Sequence, residues 1–151
     1  LLCAARNGHS EVVELLLRRD DVNPDKPDRH GRTPLHCAAR DGHGGMVEIL
    51  LGRSDVDPNT QDEVGRTPLS WAAGNGHVRA VKILLGRDDV DVNLNNGGRT
   101  PLWCAAHDGH AGVMEILLAR GDIDPNKPDR HGRTPLCCAA EHGNEGVVKM
   151  L

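Results

Sequence analysis

The chain has 151 residues, a formal net charge of −4 and a pI near 6.1, so it lacks the basic excess that phosphate contacts require, and nucleic acid is excluded as the default partner. With no Phe or Tyr and only Trp71 and Trp103 as large rings, a globule built round an aromatic centre is also excluded, and Ala, Leu and Val must supply burial in thin repeated layers. No apolar run approaches the roughly 20 residues that span a bilayer and no signal-peptide pattern is visible, so the segment is expected to be soluble, intracellular and cytoplasmic, without membrane insertion.

Aligned with itself, the chain repeats. GRTPL begins at Gly31, Gly65, Gly98 and Gly132, at offsets of 34, 33 and 34 residues. The block KPDRHGRTPL occurs verbatim at 26–35 and at 127–136, which points to internal duplication. In chain order the units are 1–30, 31–64, 65–97, 98–131 and 132–151, read as a single domain covering 1–151. The first starts inside a helix whose Thr-Pro opening is missing; LLCAARNGH overlays LHCAARDGH of the second.

In the second unit Thr33 is a helix cap and Pro34 takes the first helical position, where its missing N–H is harmless. This predicts a helix from Pro34 to about Asp41, stopped at Gly42. A second helix follows, with Met46, Val47, Ile49, Leu50 and Leu51 on a broad apolar face, ending at Gly52 and an Asp/Pro/Asn-rich stretch. Helix, turn, helix and hairpin form one unit that cannot bury its apolar faces alone, so neighbouring copies must stack. The last unit ends at Leu151, near the end of a second helix. Both boundaries cut through a helix, and neither terminal unit shows a polar capping face. The segment is therefore expected to be part of a longer array, with self-association through uncapped ends as one consequence.

These units resemble the ankyrin family's GxTPLHxAAxxGHxxVVxLLLxxGADVN pattern over essentially the whole chain. The resemblance implies an all-α solenoid of stacked antiparallel helix pairs with short β-hairpin or loop connections. It also implies a non-catalytic scaffold that binds a protein or peptide on its concave face, without cofactor or metal. The alternative is a regulatory segment of a larger enzyme, channel or nucleotide-dependent switch. The family's GADVN becomes SDVDPN at 54–59 and GDIDPN at 121–126, one residue longer, with Pro58 and Pro125 stiffening the hairpin.

Three columns bear on chemistry. Cys3, Cys37, Cys104 and Cys138 align, with Trp71 as the fifth member, at a position expected to be buried, where reduced thiols act as small hydrophobes; Cys137 is the thiol expected to be exposed. Trp71 is expected to fill core space, and Trp103, at the family's inner-helix His position, to be partly exposed. His9, His43, His77, His110 and Asn144 follow the glycine that ends each first helix and are expected to bond backbone in the connecting loop. Arg32, Arg66, Arg99 and Arg133 precede each Thr-Pro step and face two readings: partner contact, or pairing with hairpin aspartates such as Asp28, Asp62 and Asp129, the reading favoured for this constant column.

Mapping the family's binding positions gives Arg29, His30, Glu63, Val64, Asn96, Gly97, Arg130 and His131 at the hairpin tips. On the inner helix face it gives Arg40, Asp41, Gly74, Asn75, Trp103, His107, Asp108, Glu141 and His142. These positions change from unit to unit while the framework repeats, as expected of a scaffold carrying a changeable surface. Asn23 and Asn93 lie eight residues after Leu15 and Leu85, the spacing of ankyrin asparagines hydroxylated by a dioxygenase, although Asp-Val-Asn is also ordinary hairpin chemistry. No nucleophile motif or phosphate loop is present.

Overall fold

A computed structural model describes residues 1–94 and 99–151. Among these residues there are ten helices and no strand. The first-helix series is α1 (Leu2–Arg6), α3 (Pro34–Arg40), α5 (Pro68–Gly74), α7 (Pro101–Asp108) and α9 (Pro135–Glu141); each is followed by a partner, α2 (Ser10–Leu17), α4 (Gly44–Leu51), α6 (Val78–Leu84), α8 (Ala111–Leu118) and α10 (Glu145–Val148). Helices of the first series pack on one another in order, those of the second series do the same, and each pair also packs internally. The chain is thus an all-helical solenoid of stacked helix pairs.

The Thr-Pro opening works as its chemistry requires. Thr33, Thr67, Thr100 and Thr134 are extended N-cap residues whose side chains accept from the backbone N–H three residues on, and a proline follows each. Gly42 sits beyond α3 with φ +75, where a Cβ would lie 2.7 Å from the ring of His77. Backbone conformation and the next repeat's side chain therefore both require glycine there.

The core is one continuous seam. Leu35, Leu69 and Leu102 stack with Ala38, Ala39, Ala72, Ala73, Ala105 and Ala106, all nearly inaccessible, while Val47, Val81, Met114, Leu50, Leu84 and Leu117 fill the space toward the second helices. Paired alanines let successive first helices approach closely, so burial arises between repeats and not within one.

Of the two kinds of connection implied by the family pattern, β-hairpin or loop, the described residues show tight loops with no strand. Three of them close through a pair of backbone bonds: Asp28 N–H to Arg32 O (2.9 Å) with Gly31 N–H to Asp28 O (3.0 Å), Asp62 to Arg66 (3.0 Å) with Gly65 to Asp62 (2.8 Å), and Asp129 to Arg133 (2.9 Å) with Gly132 to Asp129 (3.0 Å). The aspartate then folds its carboxylate over the turn: Asp28 accepts from the N–H of His30 (2.8 Å) and Arg32 (3.0 Å), and Asp62 and Asp129 do the same in their loops. Side-chain acceptors thus take N–H groups that a ladder would otherwise use.

Candidate functional site

The accessible face carrying the expected binding positions is built by loop tips and the C-terminal ends of the first helices. At the tips, Arg29, His30, Glu63, Val64, Arg130 and His131 are all exposed; Asn96 and Gly97 lie outside the described residues. On the helix ends Asn75, Asp108, Glu141 and His142 are exposed, and Arg40, Asp41 and His107 half-buried.

Most charges on this face are already paired. Arg40 holds Asp41 in a fork, with both bonds at 2.9 Å. His30 Nδ1 lies 3.9 Å from Glu63 Oε2, and His107 Nδ1 is 2.7 Å from Asp108 Oδ1. His107 also stacks on Trp103 with centroids 5.0 Å apart and meets the ring of His142 at 4.2 Å, joining the fourth and fifth repeats in a row of rings.

The arginine column splits in two. Arg32 binds Asp28 through Nε (3.0 Å) and Nη2 (2.8 Å), and Arg133 binds Asp129 in the same way at 3.0 and 2.9 Å while its Nη1 lies 3.4 Å from Glu141. Burial pushes the Asp28 carboxyl upward, but Arg32 and two backbone N–H donors outweigh it and hold the group below the usual carboxylate range; Asp129 is held down against burial by the Arg133 and His131 N–H groups and the Arg133 side chain. Arg66 and Arg99 follow neither pattern. Their guanidinium carbons lie over the indoles of Trp71 (4.3 Å) and Trp103 (4.8 Å).

The two tryptophans exchange the places the sequence suggests. Trp71 is half-buried, because its Nε1–H reaches out to Asp62 Oδ2 at 2.9 Å. Trp103 is a correction to the expected exposed set: it is 1% accessible, and its Nε1–H donates to the Arg133 carbonyl of the next repeat at 3.1 Å. His36 makes the equivalent bond through Nε2 to Arg66 O at 3.0 Å. Indole therefore replaces imidazole as a strut between repeats, and that bond holds the ring inside.

Between α5 and α7 these features enclose a cleft of about 130 Å³, lined by Arg66, Gly74, Asn75, Arg99, Trp103, Cys104, His107 and Asp108. It is bordered by Gly74, the first-helix end without a side chain in a column otherwise filled by Arg6, Arg40, His107 and Glu141. Among the described residues no group of three or more His, Cys, Asp or Glu is arranged to hold a metal ion.

Cysteine exposure follows position in the stack. Cys37, Cys104 and Cys138 are buried and Cys137 is exposed, as the column predicts. Cys3 is exposed too, a departure from the buried column, since no helix among the described residues covers the outer side of α1. Burial pushes the Cys104 thiol up to about 11, whereas the Thr134 hydroxyl and N–H draw that of exposed Cys137 below its ordinary value. The histidine column works across repeats and not within the connecting loop: Nε2 of His43, His77 and His110 donates to Arg6, Arg40 and Gly74 carbonyls at 3.0, 2.9 and 3.0 Å, and Asn144 Nδ2 reaches Ala106 and His107 carbonyls.

Two further ladders escape the sequence reading. Arg19, Arg53, Arg87 and Arg120 each fork onto the aspartate two residues later, and Arg53, Arg87 and Arg120 also reach carbonyls of the preceding repeat, such as Leu17 O at 2.7 Å. Their signal is present as Arg-x-Asp recurring every 34, 34 and 33 residues. Asn59 and Asn93 accept from the N–H of Asp91 and Asp124 and donate to the carbonyls of Asp89 and Asp122. Asn93 thus bridges repeats, whereas Asn23 only caps its own turn through Asp25 N–H, so the two asparagines occupy different columns.

A family model described as ankyrin repeats in three copies matches residues 1–62, 45–129 and 89–151, together the whole chain. No curated protein shows significant similarity to the sequence.

Proposed function

This chain belongs to the ankyrin repeat family, whose repeats generally serve protein–protein interaction and are typically non-catalytic, and from that premise we propose that it is a scaffold binding a protein or peptide on the concave face. One observation carries the reading. Positions that repeat between units, such as Leu35, Leu69 and Leu102, are buried, while positions that change, such as Arg29, Glu63, Val64, Asn75 and His142, are accessible. A framework spent on stacking leaves that face as the variable surface available to a partner.

The test is a binding measurement with the charge-reversed double variant Arg29→Glu/Arg130→Glu. Both side chains are exposed and, among the described residues, neither bonds another repeat, so thermal unfolding should be unchanged while partner affinity falls. Unchanged affinity would remove the loop tips from the interface.

A further inference from the structure

We infer that the cleft between Arg66 and Arg99 takes a carboxylate side chain, Asp or Glu, from the bound peptide, an inference that rests on the concave-face reading above. Four arginines share the position before Thr-Pro, yet among the described residues only Arg32 and Arg133 have a carboxylate partner. Among the described residues none pairs with Arg66 or Arg99. The cause lies in two local substitutions. Asp62 spends one carboxylate oxygen on Trp71 Nε1–H and the other on the N–H groups of its own turn, and the residue four before Arg99, where Asp28, Asp62 and Asp129 align, is the uncharged Asn95.

Each guanidinium lies over an indole ring, which restrains it, and among the described residues no carboxylate accepts from it. That is the donor arrangement a carboxylate accepts from, held before any ligand arrives. The space between is about 130 Å³, room for one acidic side chain and not for a length of peptide. Asp108 is the carboxylate on the rim, and its Oδ1 is engaged by His107. To either side the charges are self-neutralised, in Arg40 with Asp41 and in Arg133 with Asp129 and Glu141. The chain as a whole carries −4, so an acidic peptide is not drawn to it generally and must find this place.

The molecule supplies its own reporter. Trp71 and Trp103 are the two tryptophans, there is no Tyr or Phe, and each has one of the two arginines over its ring, so intrinsic fluorescence reports on both guanidinium sites, with Trp103 itself lining the cleft. A random peptide library is selected against the full chain, and enriched peptides are titrated by tryptophan emission against the wild type, Arg66→Gln/Arg99→Gln and, as a charge control on the second-helix side, Arg18→Gln/Arg79→Gln. Circular dichroism of each variant reports that the array is still folded. The expected result is enrichment of an Asp or Glu, loss of affinity of about ten-fold or more in Arg66→Gln/Arg99→Gln but not in the control, and no additional loss when that acidic residue is changed to its amide in the same variant.

Peptides that bind Arg66→Gln/Arg99→Gln as tightly as wild type yet lose affinity with Asp41→Lys or His142→Glu would overturn the carboxylate subsite and leave the concave face standing. Binding insensitive to all of these variants would overturn both, and so would a selection that enriches nothing.

Discussion

The indole Nε1–H of Trp103 donates to the carbonyl of Arg133, 30 residues further on, and so ties the fourth repeat to the fifth. Trp103→Phe keeps most of the buried ring but leaves that carbonyl without its donor, and should lower stability by about 1 kcal/mol in urea denaturation. Trp103→Ala removes the ring as well and should cost about 3–5 kcal/mol. Equal losses for the two variants would mean that the bond, and not the packing, accounts for the burial.

Asp25 stands where Asn59 and Asn93 stand in the following repeats. Its Oδ2 accepts from Asp57 N–H at 2.8 Å, as the asparagine oxygens do, but its Oδ1 is buried without a partner, where an asparagine would offer Nδ2. In the following repeats the asparagine Nδ2 at this place donates to the carbonyls of Asp89 and Asp122. Burial, with Asp57 and Asp55 adding repulsion against the Asp57 N–H bond, raises the carboxyl above its ordinary value. Asp25→Asn should therefore stabilise the array by about 1 kcal/mol at neutral pH, measured by chemical denaturation. A raised carboxyl weakens the fold as pH climbs from the ordinary carboxylate value through the raised one, so the advantage of the variant should vanish toward acid pH.

His36 is neutral by construction. Thr33 N–H points at Nδ1 (3.2 Å), which makes Nδ1 an acceptor and leaves the proton on Nε2 for Arg66 O. Burial is the largest influence and lowers the imidazole below its ordinary value, with the Arg66 carbonyl opposing. A lowered histidine contributes its full stability above about pH 6.5 and loses it as pH falls toward the depressed value. Melting temperature should thus fall between pH 7.5 and 5.5, and His36→Gln should flatten the part of that slope due to this residue. An unchanged slope would show that the other histidines set it.

Cys104→Asp places a charge where accessibility is 4%, beneath the cleft. Because α7 packs on α5 and α9 along the first-helix series, hydrogen exchange should accelerate first in these three helices, with α3 protected longer. Uniform, all-or-none opening would contradict stabilisation by nearest neighbours.

The 34-residue period, the Thr-Pro starts and the glycine stops were readable from residues alone, because caps and turns act over three or four positions of chain. The pairing of Arg32 with Asp28 and Arg133 with Asp129 was readable for the same reason, both partners lying in one turn. What only the tertiary structure decided spans about one repeat: which tryptophan is inside, and which Asx side chain bridges to the next loop. Those outcomes depend on whether a donor at the tip of a given side chain reaches a carbonyl some 30 residues away, as Trp103 and His36 do, and that distance exists only once the layers have stacked.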